Sequence, residues 1–127
     1  MKHKVLAFGE ILWDIINNEP HIGGAPFNLA AHLAKTGVDS YVVSSLGNDK
    51  LGKAAFKKVG SLKIKEDFIL IQDDYPTGTV DVELDSNGIP TYTINEDTAW
   101  DNISLTQDQK KHISEIEWDL FCLGTLA

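Results

Sequence analysis

Two polar side chains and a glycine pair near the N-terminus have the types and spacing of a site for a ligand with several hydroxyl groups. Asp14 ends the segment 9–14, and Asn28 closely follows the pair formed by Gly23 and Gly24. A carboxylate accepts hydrogen bonds, a carboxamide both donates and accepts them, and glycine lets a ligand approach the backbone closely. Together these groups can bind adjacent hydroxyls, so the pattern predicts recognition of a polyol.

The elements that must position these residues follow from the hydrophobic pattern. Residues 5–8 form a short apolar run ended by a glycine, which predicts a strand buried on both faces of a parallel sheet. Residues 25–35 have apolar side chains at helical spacing, and Pro26 stands where a first helical turn tolerates proline. Open α/β sheets bind ligands at the carboxyl ends of their strands, so Asp14 and Asn28 are expected to meet there.

A second strand and helix follow, and then the pattern changes. Residues 41–46 predict another buried strand, and Asp49 is the expected N-cap of a helix over residues 50–59. Strand, helix, strand and helix with short links predict a parallel α/β sheet. Residues 79–85 alternate apolar and polar side chains, and residues 91–94 return with the same alternation, which predicts a β-hairpin outside the main sheet.

The chain divides into three predicted segments. Residues 1–75 are an N-terminal α/β portion with the ligand-binding edge, and residues 76–98 hold the β-hairpin. Residues 99–127 hold a helix opening at Ser104 or Thr106 and a buried strand over 118–124 that returns to the sheet. A buried strand this near the end of the chain leaves an open sheet edge, so we expect an incomplete N-terminal part of a longer protein.

Charge and composition exclude several function classes. The 127 residues carry 11 lysines and arginines, all of them lysine, against 19 acidic residues, for a net charge of −8. Most of the negative charge falls after residue 60, which argues against nucleic acid or an anionic membrane surface as a partner. Cys122 is the single cysteine, so a disulfide within the chain is excluded. The N-terminal apolar run is too short for a signal peptide, and we expect an intracellular, cytoplasmic protein.

Nucleotide-binding patterns are absent from the sequence. There is no G-x-x-x-x-G-K-[ST] loop, and the glycines at 23 and 24 lack the G-x-G-x-x-G spacing of a dinucleotide fold. The first 60 residues are therefore not predicted to bind a nucleotide.

Three segments in order resemble the ribokinase-like (PfkB) carbohydrate kinases. Residues 23–37, GGAPFNLAAHLAKTG, are similar to the N-terminal signature of that family, and residues 9–14, GEILWD, look like the opening of its fructokinase branch. Residues 45–52, SLGNDKLG, resemble a further family segment. The resemblance covers essentially the whole chain. It implies a ribokinase-like α/β fold with an open parallel sheet, helices on both faces, and a small antiparallel β lid at residues 77–94.

The resemblance also implies roles for individual residues. Asp14, Gly24 and Asn28 match the positions that hold sugar hydroxyls in the family, with Gly23 beside them. Tyr92 on the lid would point toward either the protein core or the sugar, and both alternatives stay open because an aromatic face can stack on a sugar ring. The substrate-binding residues are thus predicted to be Asp14, Gly23, Gly24, Asn28 and Tyr92.

The implied activity is phosphoryl transfer from ATP, with Mg²⁺, to a hydroxyl of a fructose-like sugar. In the family the catalytic aspartate and the glycine-rich anion hole lie in a C-terminal half that this sequence does not contain. We therefore assign no catalytic, nucleotide-binding or metal-binding residue in this chain, and we expect the chain alone to be inactive and to bind no cofactor tightly.

Two alternatives and one partner prediction complete the interpretation. The chain could be a non-catalytic sugar-binding or interaction module of the same fold, or belong to a nucleoside kinase of the same family. An isolated two-stranded hairpin is only marginally stable, and the resemblance implies that two lids pair in a homodimer of the intact protein. The apolar lid residues expected in that contact are Val80, Val82, Leu84, Tyr92 and Ile94.

Overall fold

The chain forms two four-stranded sheets, one covered by helices on both faces. A computed structural model describes residues 2–124 and Leu126. In chain order the elements are β1 (Lys4–Phe8), β2 (Leu12–Ile16), β3 (Glu19–Gly23), α1 (Ala25–Lys35), β4 (Asp39–Gly47), α2 (Lys50–Ser61), β5 (Ile69–Gln72), β6 (Gly78–Leu84), β7 (Pro90–Ile94), a 3-10 turn (Ala99–Asn102), α3 (Gln107–Glu115) and β8 (Leu120–Leu123).

The main sheet has the strand order β5-β4-β1-β8, and all of its pairings are parallel. Val42 and Leu46 belong to a core cluster that includes residues of α1 and α2. Leu6 and Val43 belong to a second cluster, against which Ile113 of α3 packs. Neighbouring residues of a strand point to opposite faces, so helices cover both faces of this sheet, as the sequence predicted.

Local sequence accounts for the helix boundaries. α1 has the predicted bounds and begins with Pro26 in its first turn, where proline costs no hydrogen bond. Asp49 caps α2 by accepting a hydrogen bond from the backbone N–H of Gly52. α2 continues to Ser61, beyond the end predicted at Val59, because the chain leaves the helix only where Lys63 adopts a φ of 63°.

The second sheet is larger than the predicted hairpin. The expected antiparallel pairing of β6 with β7 is present, with Val82 opposite Tyr92. Two further strands join it: β2 pairs parallel to β6, and β3 pairs antiparallel to β2. Residues 12–23, which the sequence analysis placed in the N-terminal α/β portion, therefore pair with the predicted hairpin in one mixed sheet.

The sequence signal for β2 and β3 is weak for a physical reason. Both faces of β2 contact apolar surroundings, because Leu12 packs in the second sheet's core while Trp13 packs against the main core. No apolar–polar alternation therefore marks this strand. The turn to β3 uses Asn17 and Asn18 at φ values of 51° and 64°, which is compatible with a tight hairpin but lacks the glycine that usually announces one.

The second sheet has its own small core. Leu12, Val80, Val82 and Trp100 are all at least 91% buried and pack together. The hairpin is thus not isolated, and the argument that it needs a partner for stability is wrong. Val82, predicted at a contact between lids, is buried within its own chain.

The last described strand differs from its prediction. β8 pairs with β1 as expected, but it is not buried: the side chains of Phe121 and Leu123 are 61% and 77% exposed. β8 lies at an edge of the main sheet, and within the described part of the chain only β1 pairs with it. No helix within the described part of the chain has the length and apolar character of a membrane span.

Candidate functional site

A cleft opens between the glycine turn and the second sheet. Its volume is about 300 Å³. The end of β1 and the start of α1 form one wall, and β2, β6 and β7 form the other. The lining residues are Glu10, Leu12, Asp14, Gly24, Ala25, Val80, Tyr92, Ile94 and Leu126. Three of the five predicted site residues, Asp14, Gly24 and Tyr92, therefore line one cleft.

Asp14 lies in the middle of β2, a strand that the sequence analysis did not predict. It stands opposite Val80 on β6 and opposite His21 on β3. Burial raises the pKa of the Asp14 carboxyl above its ordinary value, and the nearby charge of His21 opposes that rise. Because strands on both sides hold its backbone, the Asp14 carboxylate is presented to the cleft from a rigid support.

The two glycines allow the walls of the cleft to approach each other. Gly24 has a φ of 111°, and a Cβ atom at this position would collide with the carbonyl oxygen of Glu10. Gly23 is buried at the end of β3, and a Cβ atom there would lie 3.0 Å from Oδ2 of Asp14. Only glycine fits the conformation and the space at residue 24. Gly23 does not line the cleft; it makes room beside Asp14.

Tyr92 and Asn28 have different positions relative to the cleft. The Tyr92 side chain is 63% exposed and lines the cleft, so its orientation toward the protein core is excluded. Asn28 is exposed in the first turn of α1, where its backbone N–H donates to the carbonyl of Gly24 at 2.8 Å. The structure does not bring the Asn28 side chain into the cleft lining, and its role in binding a hydroxyl stays a prediction.

Glu10 is a lining residue that the sequence analysis did not assign. It follows the end of β1 and is only 3% exposed. Its Oε1 accepts a hydrogen bond from the backbone N–H of Ala25 at 3.2 Å, which connects the end of β1 to the start of α1. An acidic residue directly after a predicted strand, at the edge where ligands bind, was the signal that could have identified it.

The segment SLGNDKLG has a structural explanation, which we call the Asp49–Thr77 junction. Oδ1 of Asp49 accepts hydrogen bonds from the N–H of Gly52 at 2.8 Å and the hydroxyl of Thr77 at 2.6 Å, and Oδ2 accepts from the N–H of Thr77 at 2.9 Å. A Cβ atom at Gly52 would collide with the carbonyl of Gly47. The junction therefore attaches the start of β6 to the turn between β4 and α2.

The charge state of Asp49 fits this structural role. Burial acts to raise the pKa of Asp49, but hydrogen bonds from Thr77 and Gly52 outweigh burial and hold the pKa below its ordinary value.

Other depressions of the surface lie apart from the predicted site residues. Four of them are larger than the cleft, with volumes of about 370 to 680 Å³. None of the four is lined by a residue of the glycine turn or by another predicted site residue. Within the described residues, no group of three or more histidine, cysteine, aspartate or glutamate side chains is placed to hold a metal ion.

Comparisons of the sequence and of the structure with known proteins point to the same family. The model of the pfkB family carbohydrate kinases matches residues 2–118. An uncharacterized sugar kinase of Pyrococcus horikoshii is 28% identical over 127 residues, covering 91% of this chain and 38% of that protein. Its crystal structure in complex with ATP superposes with a TM-score of 0.74, covering 84% of this chain and 39% of that chain.

Two further relatives have named activities. A fructokinase of Salmonella typhimurium is 29% identical over 132 residues, covering all of this chain and 43% of that protein. An ATP-dependent 6-phosphofructokinase of Thermoanaerobacterium thermosaccharolyticum is 36% identical over 90 residues, covering 62% of this chain and 28% of that protein. The chain thus spans less than half the length of each of these relatives. The structural match also confirms the predicted ribokinase-like type of α/β fold.

Proposed function

The chain belongs to the pfkB family of carbohydrate kinases, and we propose that it is the sugar-binding N-terminal part of an ATP-dependent sugar kinase. The intact protein transfers the γ-phosphoryl group of ATP to a hydroxyl of a fructose-like sugar. The observation that carries the proposal is the meeting of Asp14, Gly24 and Tyr92 at one cleft.

The chemistry of the cleft suits a sugar. The Asp14 carboxylate accepts hydrogen bonds from hydroxyls, and Gly24 lines the same cleft without a side chain of its own. The Tyr92 ring supplies an apolar face against which a sugar ring can stack. Asn28, one helical turn away from the glycines, is proposed to reach the same sugar with its carboxamide.

The cleft does not suit the phosphate groups of ATP. Its charged lining side chains are the carboxylates of Glu10 and Asp14, and none of its lining residues is a lysine. Like charges repel a polyphosphate. We therefore propose that ATP and Mg²⁺ bind to a part of the protein outside this chain, and that Asp14 binds the sugar and is not the catalytic base.

The second sheet is proposed to act as a lid and as a dimer contact. Leu84, Tyr92 and Ile94 lie on the face of the sheet that carries Val80 and Val82, yet they are 49%, 63% and 41% exposed. An apolar surface of this kind can pack against the lid of a second copy of the chain. We further propose that the kinase acts in the cytoplasm.

Two alternatives give different experimental results. A non-catalytic sugar-binding module would bind the sugar, but no form of the protein would turn over ATP. A nucleoside kinase of the same family would use nucleosides and leave fructose unphosphorylated.

The test compares two forms of the protein: the 127-residue chain and the complete product of the open reading frame that contains it. We expect fructose-dependent ATP turnover by the complete product and none above background by the 127-residue chain, because the proposed nucleotide site lies outside it. If the purified 127-residue chain turned over ATP and the Asp14→Ala substitution abolished that turnover, the proposal that the nucleotide site lies outside the chain would be contradicted. Nucleosides tested in parallel as acceptors identify the alternative kinase.

A further inference from the structure

Glu10 has one carboxylate oxygen without a hydrogen-bond partner among the described residues. Oε1 accepts the hydrogen bond from Ala25, but none of the described residues donates to Oε2. Oε2 has less than 1 Å² of accessible surface. Buried polar atoms nearly always have a hydrogen-bond partner, and an unpaired one lowers stability. An unpaired acceptor at the side of a ligand cleft therefore indicates a donor that arrives with the ligand.

The backbone of Gly124, just after β8, packs against the Glu10 carboxylate. A Cβ atom there would lie 2.8 Å from Oε2 and 2.9 Å from Cγ of Pro26, so this contact leaves no room for a side chain at residue 124. A ligand hydroxyl therefore reaches Oε2 only if the Glu10 side chain turns toward the cleft, which it already lines.

The charge of the cleft limits which ligands fit. Glu10 and Asp14 both line it, and no lysine does. An ionised carboxylate only accepts hydrogen bonds, so its complement on a ligand is a neutral donor. A phosphate or carboxylate on the ligand would meet two like charges in a partly buried site, and their repulsion would weaken its binding.

Building on the proposed sugar-binding function, we infer that Glu10 is a specificity-determining residue whose Oε2 accepts a hydrogen bond from a sugar hydroxyl. With Asp14, Glu10 makes the cleft select neutral sugars over sugar phosphates and sugar acids. Glu10 also positions the glycine turn through Ala25, but its effect on specificity comes from the second oxygen.

The experiment measures equilibrium binding of fructose, fructose 6-phosphate and ATP to the complete gene product. The wild-type protein should bind fructose about a hundredfold more tightly than fructose 6-phosphate. Glu10→Gln keeps an acceptor for the N–H of Ala25 but removes the charge. This variant should bind fructose about tenfold to a hundredfold more weakly, and its preference for fructose over fructose 6-phosphate should be smaller than that of the wild type. ATP affinity should not change. Glu83→Gln, an exposed position on the opposite face of β6, is the matched control and should change neither sugar affinity.

A second measurement separates a ligand-binding role from a structural one. Because Glu10→Gln removes an unpaired buried charge, the urea midpoint of the ligand-free variant should equal or exceed that of the wild type. A lower midpoint together with an unchanged fructose affinity would show that Glu10 only supports the glycine turn through Ala25 and would overturn the inference. An unchanged fructose affinity, or equal losses for fructose and its phosphate, would also overturn it. A wild-type protein that binds no sugar at all would instead overturn the proposed function, and this inference with it.

Discussion

Two acidic sites at the same edge of the main sheet use their carboxylates in opposite ways. At the Asp49–Thr77 junction, which follows β4, both oxygens of Asp49 accept hydrogen bonds from the protein itself. In the cleft, which follows β1, Glu10 has one unpaired oxygen, and Asp14 stands opposite His21 and Val80 without a backbone donor within the described hydrogen bonds.

The pKa shifts of Asp49 and Asp14 agree with this difference in hydrogen bonding. The pKa of Asp49 is lowered because its hydrogen bonds favour the ionised form, whereas burial raises the pKa of Asp14. An acid whose acceptors the protein fills stabilises the fold. An acid that the fold leaves partly unpaired costs stability and is available to a ligand. The hydrogen bonding of the acidic side chains thus distinguishes two kinds of residue in the segments that resemble the family. Asp49, whose oxygens are paired, has a structural role, and Glu10 and Asp14 are proposed to bind the ligand.

The strongest test of this comparison is Asp49→Ala. The variant loses the N-cap of α2 and leaves the buried N–H of Thr77 without its acceptor. We expect the free energy of unfolding to fall by about 2–3 kcal/mol, measured by urea denaturation. In the complete gene product the affinity for fructose should change little, since the junction does not line the cleft.

The pH dependence provides the control for Asp49. A lowered pKa means that the ionised group contributes stability above the ordinary aspartate value of 3.8 and that this contribution is lost as the pH falls through the folded value. The difference in unfolding free energy between wild type and Asp49→Ala should therefore be full at neutral pH and shrink in acid. A difference that is constant with pH would show that the cap, and not the charge, supplies the stability.

The reverse result is expected for Asp14→Asn. Sugar affinity should fall by about tenfold to a hundredfold, because a hydrogen bond to a charged group is lost, while ATP affinity stays unchanged. Because the pKa of Asp14 is raised, its ionised form opposes folding as the pH rises, so the Asn variant at pH 7 should be at least as stable as the wild type. Isothermal titration and urea denaturation measure the two effects.

Asn28→Ala is the companion of this variant on the other side of the glycine turn. A loss of sugar affinity without a loss of ATP affinity supports its predicted contact with a hydroxyl. Equal losses for both ligands in either variant would point to a folding defect and would remove Asp14 or Asn28 from the site.

Local signals in the sequence predicted most of the fold but only part of the cleft. The bounds of α1 and the cap at Asp49 were correct because glycine, proline and aspartate fix helix ends by short-range interactions. β2 was missed because two different cores bury its opposite faces, which removes the alternation by which such a strand is found. The same omission hid the strand that carries Asp14.

Glu10 and Thr77 were missed for a related reason. Their importance depends on contacts between distant segments: Glu10 with Ala25, and Thr77 with Asp49. One sequence without relatives gives no signal for such pairings, although the place of Glu10 just after β1 was a local signal for that residue alone. The exposure of Tyr92, by contrast, could be settled only by the position of the whole second sheet.

Strand β6 runs from the Asp49–Thr77 junction to the exposed apolar end of the second sheet, and a substitution there has the smallest expected effect. It begins at the junction, where Thr77 is buried and paired, and it ends at Leu84, whose apolar side chain is 49% exposed. If the lids pair in a homodimer, Leu84→Lys places a charge in the contact and should weaken dimerisation by about tenfold. Leu84 is preferred to Val82 for this purpose, because Val82 is part of the core of its own chain and Val82→Lys would unfold the second sheet.

We expect sedimentation velocity of the complete gene product to show a dimer that Leu84→Lys shifts toward monomer, together with a severalfold rise in the sugar KM, because an unpaired lid covers the cleft less often. Thr91→Lys is the matched control: it adds the same charge on β7 but faces the opposite side of the sheet, beside Glu83. It should leave both quantities unchanged. A monomeric wild type, with the same sugar KM in both lysine variants, would contradict the lid dimer. The second sheet would then close over the sugar without a partner chain, and the exposed side chain of Leu84 would have no role in a contact between copies.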